Sequence, residues 1–174
     1  IDDIGERFEY QQSGAKWNEV VENMKKYILH GGYSGSDQLQ IKICCSVTSM
    51  NIYYFPEYFK FMNEHFPGLP VFWNLVFQPW QLSAQLLPAQ VKELIAQRLK
   101  NFVNTTYQME ELRTRTIENL ITYLNGTDER NFSEFFTYIG KHDRYRQENF
   151  EKTFSEFYAV INKYRHTAIP VANE

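Results

Sequence analysis

At 174 residues the chain has the length of one domain and enough residues to bury a core. A hydrophobic content of 43% excludes a disordered chain, and 17% aromatic residues, with 14 Phe and 12 Tyr, favour bulky packing or a wide aromatic interface. The formal charge of -3 and the lack of any Lys/Arg run speak against nucleic acid as a partner, and no apolar stretch approaches the roughly 20 residues that span a bilayer.

Ile1-Asp2-Asp3-Ile4-Gly5 reads as the end of a strand running into a loop, and a domain opening on a strand tip is expected to have something upstream. Trp17, Val20, Val21, Met24, Tyr27 and Ile28 recur at helical spacing, and His30-Gly31-Gly32 supplies a stop. Gly31 to Asp37 has loop composition. Leu39 to Thr48, LQIKICCSVT, is β-branched and mostly apolar, which suits a strand buried on both faces. Pro56 suits the first turn of a helix with Tyr58, Phe59, Met62 and Phe66 on its apolar face, broken by Pro67-Gly68. Val71 to Phe77 is a second apolar run, closed by Pro79. Strand, helix and strand in this order make a βαβ unit, so the two strands are expected to be parallel.

The remainder reads as helical. Pro88 opens a helix with Val91, Leu94, Ile95, Arg98 and Phe102 along one side. Leu112, Ile117, Leu120, Ile121 and Leu124 mark the next, ended by Asn125-Gly126. Asn131 or Ser133 caps a third, with Phe132, Phe135, Phe136 and Ile139, and Phe150, Phe154, Phe157, Ile161 and Tyr164 mark a fourth. Polar Lys141 to Asn149 is a break or a solvent-facing stretch between them. A two-strand parallel sheet leaves edges and faces open, so the pattern points to part of a larger alternating β/α fold.

Catalytic signatures are absent from the sequence: no His pair at i,i+4, no Cys-x-x-Cys, no Gly-x-Ser-x-Gly, no Walker loop and no Gly-x-Gly-x-x-Gly. The two cysteines, Cys44 and Cys45, are adjacent and would point to opposite faces of a strand, unable to bridge each other or share a metal. They are expected to be small buried apolar residues of a cytoplasmic protein. What remains are polar residues at strand ends, where ligands gather in α/β folds: Asp2, Asp3, Ser46, Thr48, Asn51, Asn74 and Gln78. They are either a polar ring at the mouth of a barrel or caps of loops and helix starts. Asn74 stands out, because an unpaired amide in a buried strand costs free energy. Asp143 and Arg146 have the spacing of a surface ion pair, and the aromatic run from Tyr53 to Phe59 suits core packing or a planar ligand.

The opening IDDIGERFEYQQSGAKWNEVVENMKKY resembles a segment of the radical S-adenosylmethionine proteins, in the subgroup with a twitch domain. There the fourth barrel strand ends in a Ser-Ile-Asp-Asp-like motif, followed by a Gly-x-Arg-Phe-x-Tyr-Gln-Arg-like loop and a helix starting near a Trp. Asp2, Asp3, Gly5, Arg7, Phe8, Tyr10, Gln11, Gly14, Lys16 and Trp17 match that pattern. SVTSMNIYYFPEYFKF resembles strand five and its helix, and WNLVFQP strand six. LLPAQVKELI and HDRYRQENFEKTFSEF are looser matches. The resemblance implies a helix-rich partial (β/α) barrel of about two or three parallel strands and five to six helices. Residues 1–80 would be the second half of the barrel and 81–166 a helical tail within a single domain. Asp2, Asp3 and Asn51 would hydrogen-bond ribose or substrate, with Asn74 deeper in the same mouth.

Two departures accompany the resemblance. The family's Cys-x-x-x-Cys-x-x-Cys, whose thiolates hold three irons of the 4Fe-4S cluster, has no counterpart here, nor do the cysteines of a second cluster in the tail. Gln12 stands where relatives carry Arg, removing a cationic contact. The expectation is therefore a fragment or truncated form of a radical enzyme, not competent alone and with no cofactor of its own. S-adenosylmethionine and 4Fe-4S would belong to a full-length parent. The alternative is a non-catalytic module that binds a partner or pairs with itself, as a homodimer through its open sheet region.

Overall fold

The computed structural model describes residues 1–31, 41–105 and 111–166. Leu39, Gln40 and most of the loop expected from Gly31 to Asp37 lie outside the described residues, as does the tail after His166. The helices are α1 (Gly5–Gln11), α2 (Trp17–Gly31), α3 (Phe55–His65), α4 (Ala89–Thr105), α5 (Glu111–Leu124), α6 (Ser133–Arg146), α7 (Phe150–Thr153) and α8 (Ser155–Ile161). Between α2 and α3 comes strand β1 (Ile43–Val47), and between α3 and α4 strand β2 (Val71–Leu75). The protein is thus a helix-rich α/β chain, and no helix among the described residues is long and apolar enough to cross a membrane.

β1 and β2 are parallel neighbours, with Ile43 opposite Val71 through to Val47 opposite Leu75. Ile43 N–H to Pro70 C=O and Val76 N–H to Val47 C=O extend the ladder at its two ends. The expected βαβ unit is therefore present, with α3 as its connection.

The expectation of strands buried on both faces is corrected. Ile43, Cys45 and Val47 are buried, and opposite them Val71, Trp73 and Leu75 pack half-buried against the core. On the other face Cys44 and Asn74 are exposed, Ser46 is half-buried, and Phe72 is 52% exposed. Apolar composition alone cannot tell a strand covered twice from one covered once. Only Cys45, not Cys44, is the buried apolar cysteine that was expected.

Helix α3 covers the inner face. The Trp73 ring lies 5.2 Å from those of both Phe55 and Phe59 and 6.1 Å from that of Tyr58. Tyr53, Tyr54, Phe55, Tyr58 and Phe59 are all buried, so the aromatic run is core. Val91, Ile95 and Leu99 of α4 and Ile117, Leu120 and Leu124 of α5 extend that core, whereas Leu94, placed on the same side by its spacing, is 36% exposed.

Two segments differ from expectation. Gly5–Gln11, expected as a loop, is helical. Ile4 enters extended (φ -126°), and Gly5 turns the chain at φ 60°, a conformation that costs glycine least. The run from Phe150 to Tyr164 is broken at Phe154 (φ -114°, ψ 40°), which divides α7 from α8 and is fully buried against Tyr10 and Tyr54. Lys141 to Arg146 continues α6, which stops where Gln147 takes a left-handed turn (φ 58°). At its start the Asn131 side chain accepts from Ser133 N–H at 2.9 Å, so Asn131 supplies the capping oxygen.

The expected Asp143–Arg146 ion pair is replaced by a clamp on Tyr10. Asp143 Oδ1 accepts from the Tyr10 hydroxyl at 2.7 Å, and its carboxylate also accepts from Phe150 N–H at 3.0 Å. Arg146 donates to the Tyr10 carbonyl at 3.0 Å. One buried tyrosine thus joins α1 to α6 and α7. Tyr10→Phe should lower the unfolding free energy by about 2 kcal/mol, the usual worth of a hydrogen bond to a charged group. Asp143→Ala should cost more, since Phe150 N–H loses its acceptor too. Urea unfolding of the three proteins checks both.

Candidate functional site

The site is built at the carboxyl end of β1. Ile1 to Asp3 runs beside β1, on the edge away from β2. The Ile1 amino group donates to Cys44 C=O at 3.0 Å, and Ser46 N–H donates to Asp2 Oδ1 at 2.6 Å. Contacts advance in the same direction along both segments, so this stretch runs parallel to β1, but it is not the strand end expected from the sequence: the sheet of the described residues pairs β1 with β2 alone. The Tyr58 hydroxyl donates to Ile1 C=O at 3.2 Å and secures the segment to α3.

Asn51 is fully buried. Its Nδ2 donates to the carbonyls of Asp2 and Ser46, both at 2.7 Å, and its Oδ1 accepts from Thr48 N–H at 2.8 Å. The Thr48 hydroxyl in turn accepts from the N–H groups of Met50 and Asn51, each at 3.3 Å. This is a side-chain-braced turn that carries β1 into the 3₁₀ turn Ile52–Tyr54 and on to α3. Ser49 is fully buried, and its hydroxyl has no hydrogen-bond partner among the described residues.

Asp3 is 1% exposed. Its carboxylate accepts from Ile4 N–H at 2.8 Å, Arg7 Nε at 3.1 Å and Gln11 Nε2 at 3.2 Å. Burial pushes its pKa up to about 7, against the opposing pull of the Arg7 guanidinium and the Ile4 and Gln11 donors. Arg7 also lies over the Tyr54 ring, 3.9 Å from its centroid. Asp2 is half-buried, and its Oδ2 accepts from Gln12 Nε2 at 2.6 Å, which ties the end of α1 back to the opening segment.

Of the expected site residues, Asn51 and Asp2 are in direct contact, and Asp3 follows Asp2 in the chain. The amide of Asn51 and the carboxylate of Asp3 are both engaged inside the chain. Asn74 stands on β2, in register with Ser46 and on the exposed face, so it is not the buried unpaired amide that the sequence suggested. Sequence reasoning overlooked the Asp3–Arg7 pair, although its i,i+4 spacing is a readable signal. It also overlooked Tyr58, whose partner is 57 residues away and leaves no local trace.

Cys44 and Cys45 lie on opposite faces of β1, one exposed and one buried, and cannot supply three thiolates to one cluster. The residues present do not fit a 4Fe-4S group. Among the described residues no group of His, Cys, Asp and Glu is placed to hold a metal ion. In comparisons with known proteins, no family model, no curated protein and no solved structure matches the chain.

The raised pKa of Asp3 has a definite sign. The folded chain holds a proton near neutrality that the unfolded chain releases near pH 4, so this contribution to stability is full below about pH 4 and is lost as pH rises through about 7. Between pH 5 and 8 the stability of the natural chain should fall relative to Asp3→Asn by on the order of 2 kcal/mol. Denaturant titrations of both proteins at four pH values read the difference, and a pH-independent difference would refute it.

Proposed function

We propose that the chain is the second half of a (β/α) barrel of the radical S-adenosylmethionine type, followed by a helical tail over residues 81–166, and that it is not catalytically competent alone. The observation that carries this reading is the one-sided sheet. Barrel strands turn one face to helices and the other to the interior. Here α3 lies against Trp73, while Ser46 and Asn74 stand side by side on the open face. Asp2 lies beyond Ser46 at the strand end. Asp2 and Asn74 would hydrogen-bond the nucleoside cofactor or substrate, and Asp3 and Asn51 would hold the strand end in shape. S-adenosylmethionine and the 4Fe-4S cluster are cofactors of a full-length parent, whose other barrel half would supply the thiolates. A cytoplasmic location goes with this reading, since the exposed free Cys44 suits a reducing compartment.

The coding sequence upstream tests the proposal. A Cys-x-x-x-Cys-x-x-Cys in the same reading frame is expected, and an initiator methionine directly before Ile1 would overturn it. Anaerobic reconstitution of this chain alone should yield no stoichiometric 4Fe-4S cluster by iron and sulfide assay.

The same open face favours a second reading, a self-associating module without catalysis. Phe72 on that face is 52% exposed and leaves roughly 1 kcal/mol of burial unrealised. The outer edge of β2 has no strand partner among the described residues, and such edges pair with other chains. A two-fold homodimer is the expected assembly. Light scattering at micromolar concentration should give twice 20.8 kDa; a clean monomer would rule the dimer out.

A further inference from the structure

The outer edge of β2 is specific about what can pair with it. In the parallel ladder, Ile43 N–H meets Pro70 C=O at one end and Val76 N–H meets Val47 C=O at the other. The register runs unbroken between them, so the N–H and C=O groups of Phe72 and Asn74 also face β1. Those of Val71, Trp73 and Leu75 face away from it. They have no backbone hydrogen-bond partner among the described residues, where the sheet has β1 and β2 alone. Such a row of donors and acceptors is a template for one more strand.

The other side of the sheet is occupied. The Ile1 amino group and Asp2 Oδ1 hold the opening segment along β1. Head-to-tail addition of copies needs two different open edges. With one open, two copies can meet there only as equals, about a two-fold axis. An axis through that edge, normal to the sheet, sets the two β2 strands antiparallel. No charge opposes their approach: residues 66–91 contain no Asp, Glu, Lys or Arg. Edges that resist pairing usually carry a charge or a proline, and the outward positions here are Val71, Trp73 and Leu75.

We propose that a second copy of this chain pairs with the first, β2 against β2, with Trp73 opposite Trp73 at the two-fold axis. The proposal rests on the self-associating reading above and specifies its interface. The register follows from the edge itself. Centred on Trp73, Val71 of each copy meets Leu75 of the other, and every outward N–H and C=O of the strand finds a partner. Centring on Phe72 would leave Leu75 unpaired, and centring on Asn74 would leave Val71 unpaired. Phe72 of each copy then stands opposite Asn74 of the other in a non-hydrogen-bonded pair, with Cα atoms about 4.5 Å apart. The helices of both copies lie on one side of the joined sheet and the open faces on the other.

Hydrogen exchange on the natural chain reads the interface directly. The amides of Val71, Trp73 and Leu75 should exchange about tenfold more slowly over a roughly hundredfold rise in concentration above the dissociation constant, as the monomer fraction falls. Those of Phe72 and Asn74, bonded to β1 in either state, should be protected throughout. Cross-linking reads the register. In a Cys44→Ser background, Phe72→Cys and Asn74→Cys chains should form a disulfide when mixed and oxidised with diamide. Neither should cross-link with itself, because like positions lie diagonally, about 7–8 Å apart. Both positions are exposed, so neither change disturbs the core. Edge amides that stay unprotected, or a self-cross-link of either variant without the mixed one, would overturn the proposal. Light scattering separates the two readings: a dimer with unprotected edge amides removes this interface alone, and a monomer removes self-association with it.

Discussion

One buried carboxamide holds the sheet end together. Asn51 joins the carbonyls of Asp2 and Ser46 and the N–H of Thr48, drawing the opening segment, β1 and the turn after it to one side chain. All of its connections are buried or half-buried, where an unmade hydrogen bond costs about 1–3 kcal/mol. Without it the opening segment would keep Asp2 Oδ1, the Ile1 amino group, the Cys45 thiol and the Tyr58 hydroxyl as ties to β1 and α3. The turn from Thr48 to Ile52 would also lose the anchor that sets the start of α3. The placement of Trp73 depends on α3 in turn, because its ring packs against Phe55, Tyr58 and Phe59 of that helix.

The helical tail is attached to this unit through aromatic rings that also carry polar handles. Tyr54, in the 3₁₀ turn before α3, accepts from Phe157 N–H at 3.1 Å and lies against Phe154. Tyr10 meets His142, Phe150 and Phe154. The rings supply burial, and the hydroxyls fix register between segments more than 100 residues apart. Leucines in their place would bury less area and supply no hydroxyl to set that register. The high aromatic content is thereby explained by packing, with no need for a ligand.

What could be read from the sequence follows the range over which each signal acts. The βαβ unit was legible, because apolar runs, Pro56 and Pro67-Gly68 are local marks of strands and helix ends. The side of each strand that stays open was not, since Cys44 and Phe72 look as apolar as their buried neighbours. The helix over Gly5–Gln11 was hidden by its shortness and by an opening glycine at positive φ. At the site, Asp2, Asp3 and Asn51 were named from their place at strand ends. Their roles were not readable, because a capping amide and a ligand-binding amide carry the same letter. The Asp143–Arg146 spacing was correctly noticed, but a spacing rule names a neighbour on the same helix and cannot weigh it against Tyr10, on a different one.

The open face of the sheet is not what the tail is for. Each tail contact described here lies on the helix side: Phe154 and Phe157 reach Tyr53 and Tyr54, and Phe102 of α4 stacks on Phe59, with ring centroids 5.7 Å apart. Arg98 lies over Tyr53, 4.1 Å from its centroid, and pairs with Glu57 at 2.9 Å, closing the same layer. A chain that needed to hide Phe72 could have folded a helix over it, yet these helices add to the side already covered. The composition of the open face argues the same way. It pairs Cys44 with Phe72 at the amino end and Ser46 with Asn74 toward the carboxyl end, apolar below and polar above. A purely wet surface has no reason to carry the first pair, and a purely dry interface disfavours the second, since each polar group would need a partner. A graded face of this kind suits contact with something that is itself part apolar and part polar. Among the described residues, nothing in this chain meets that description.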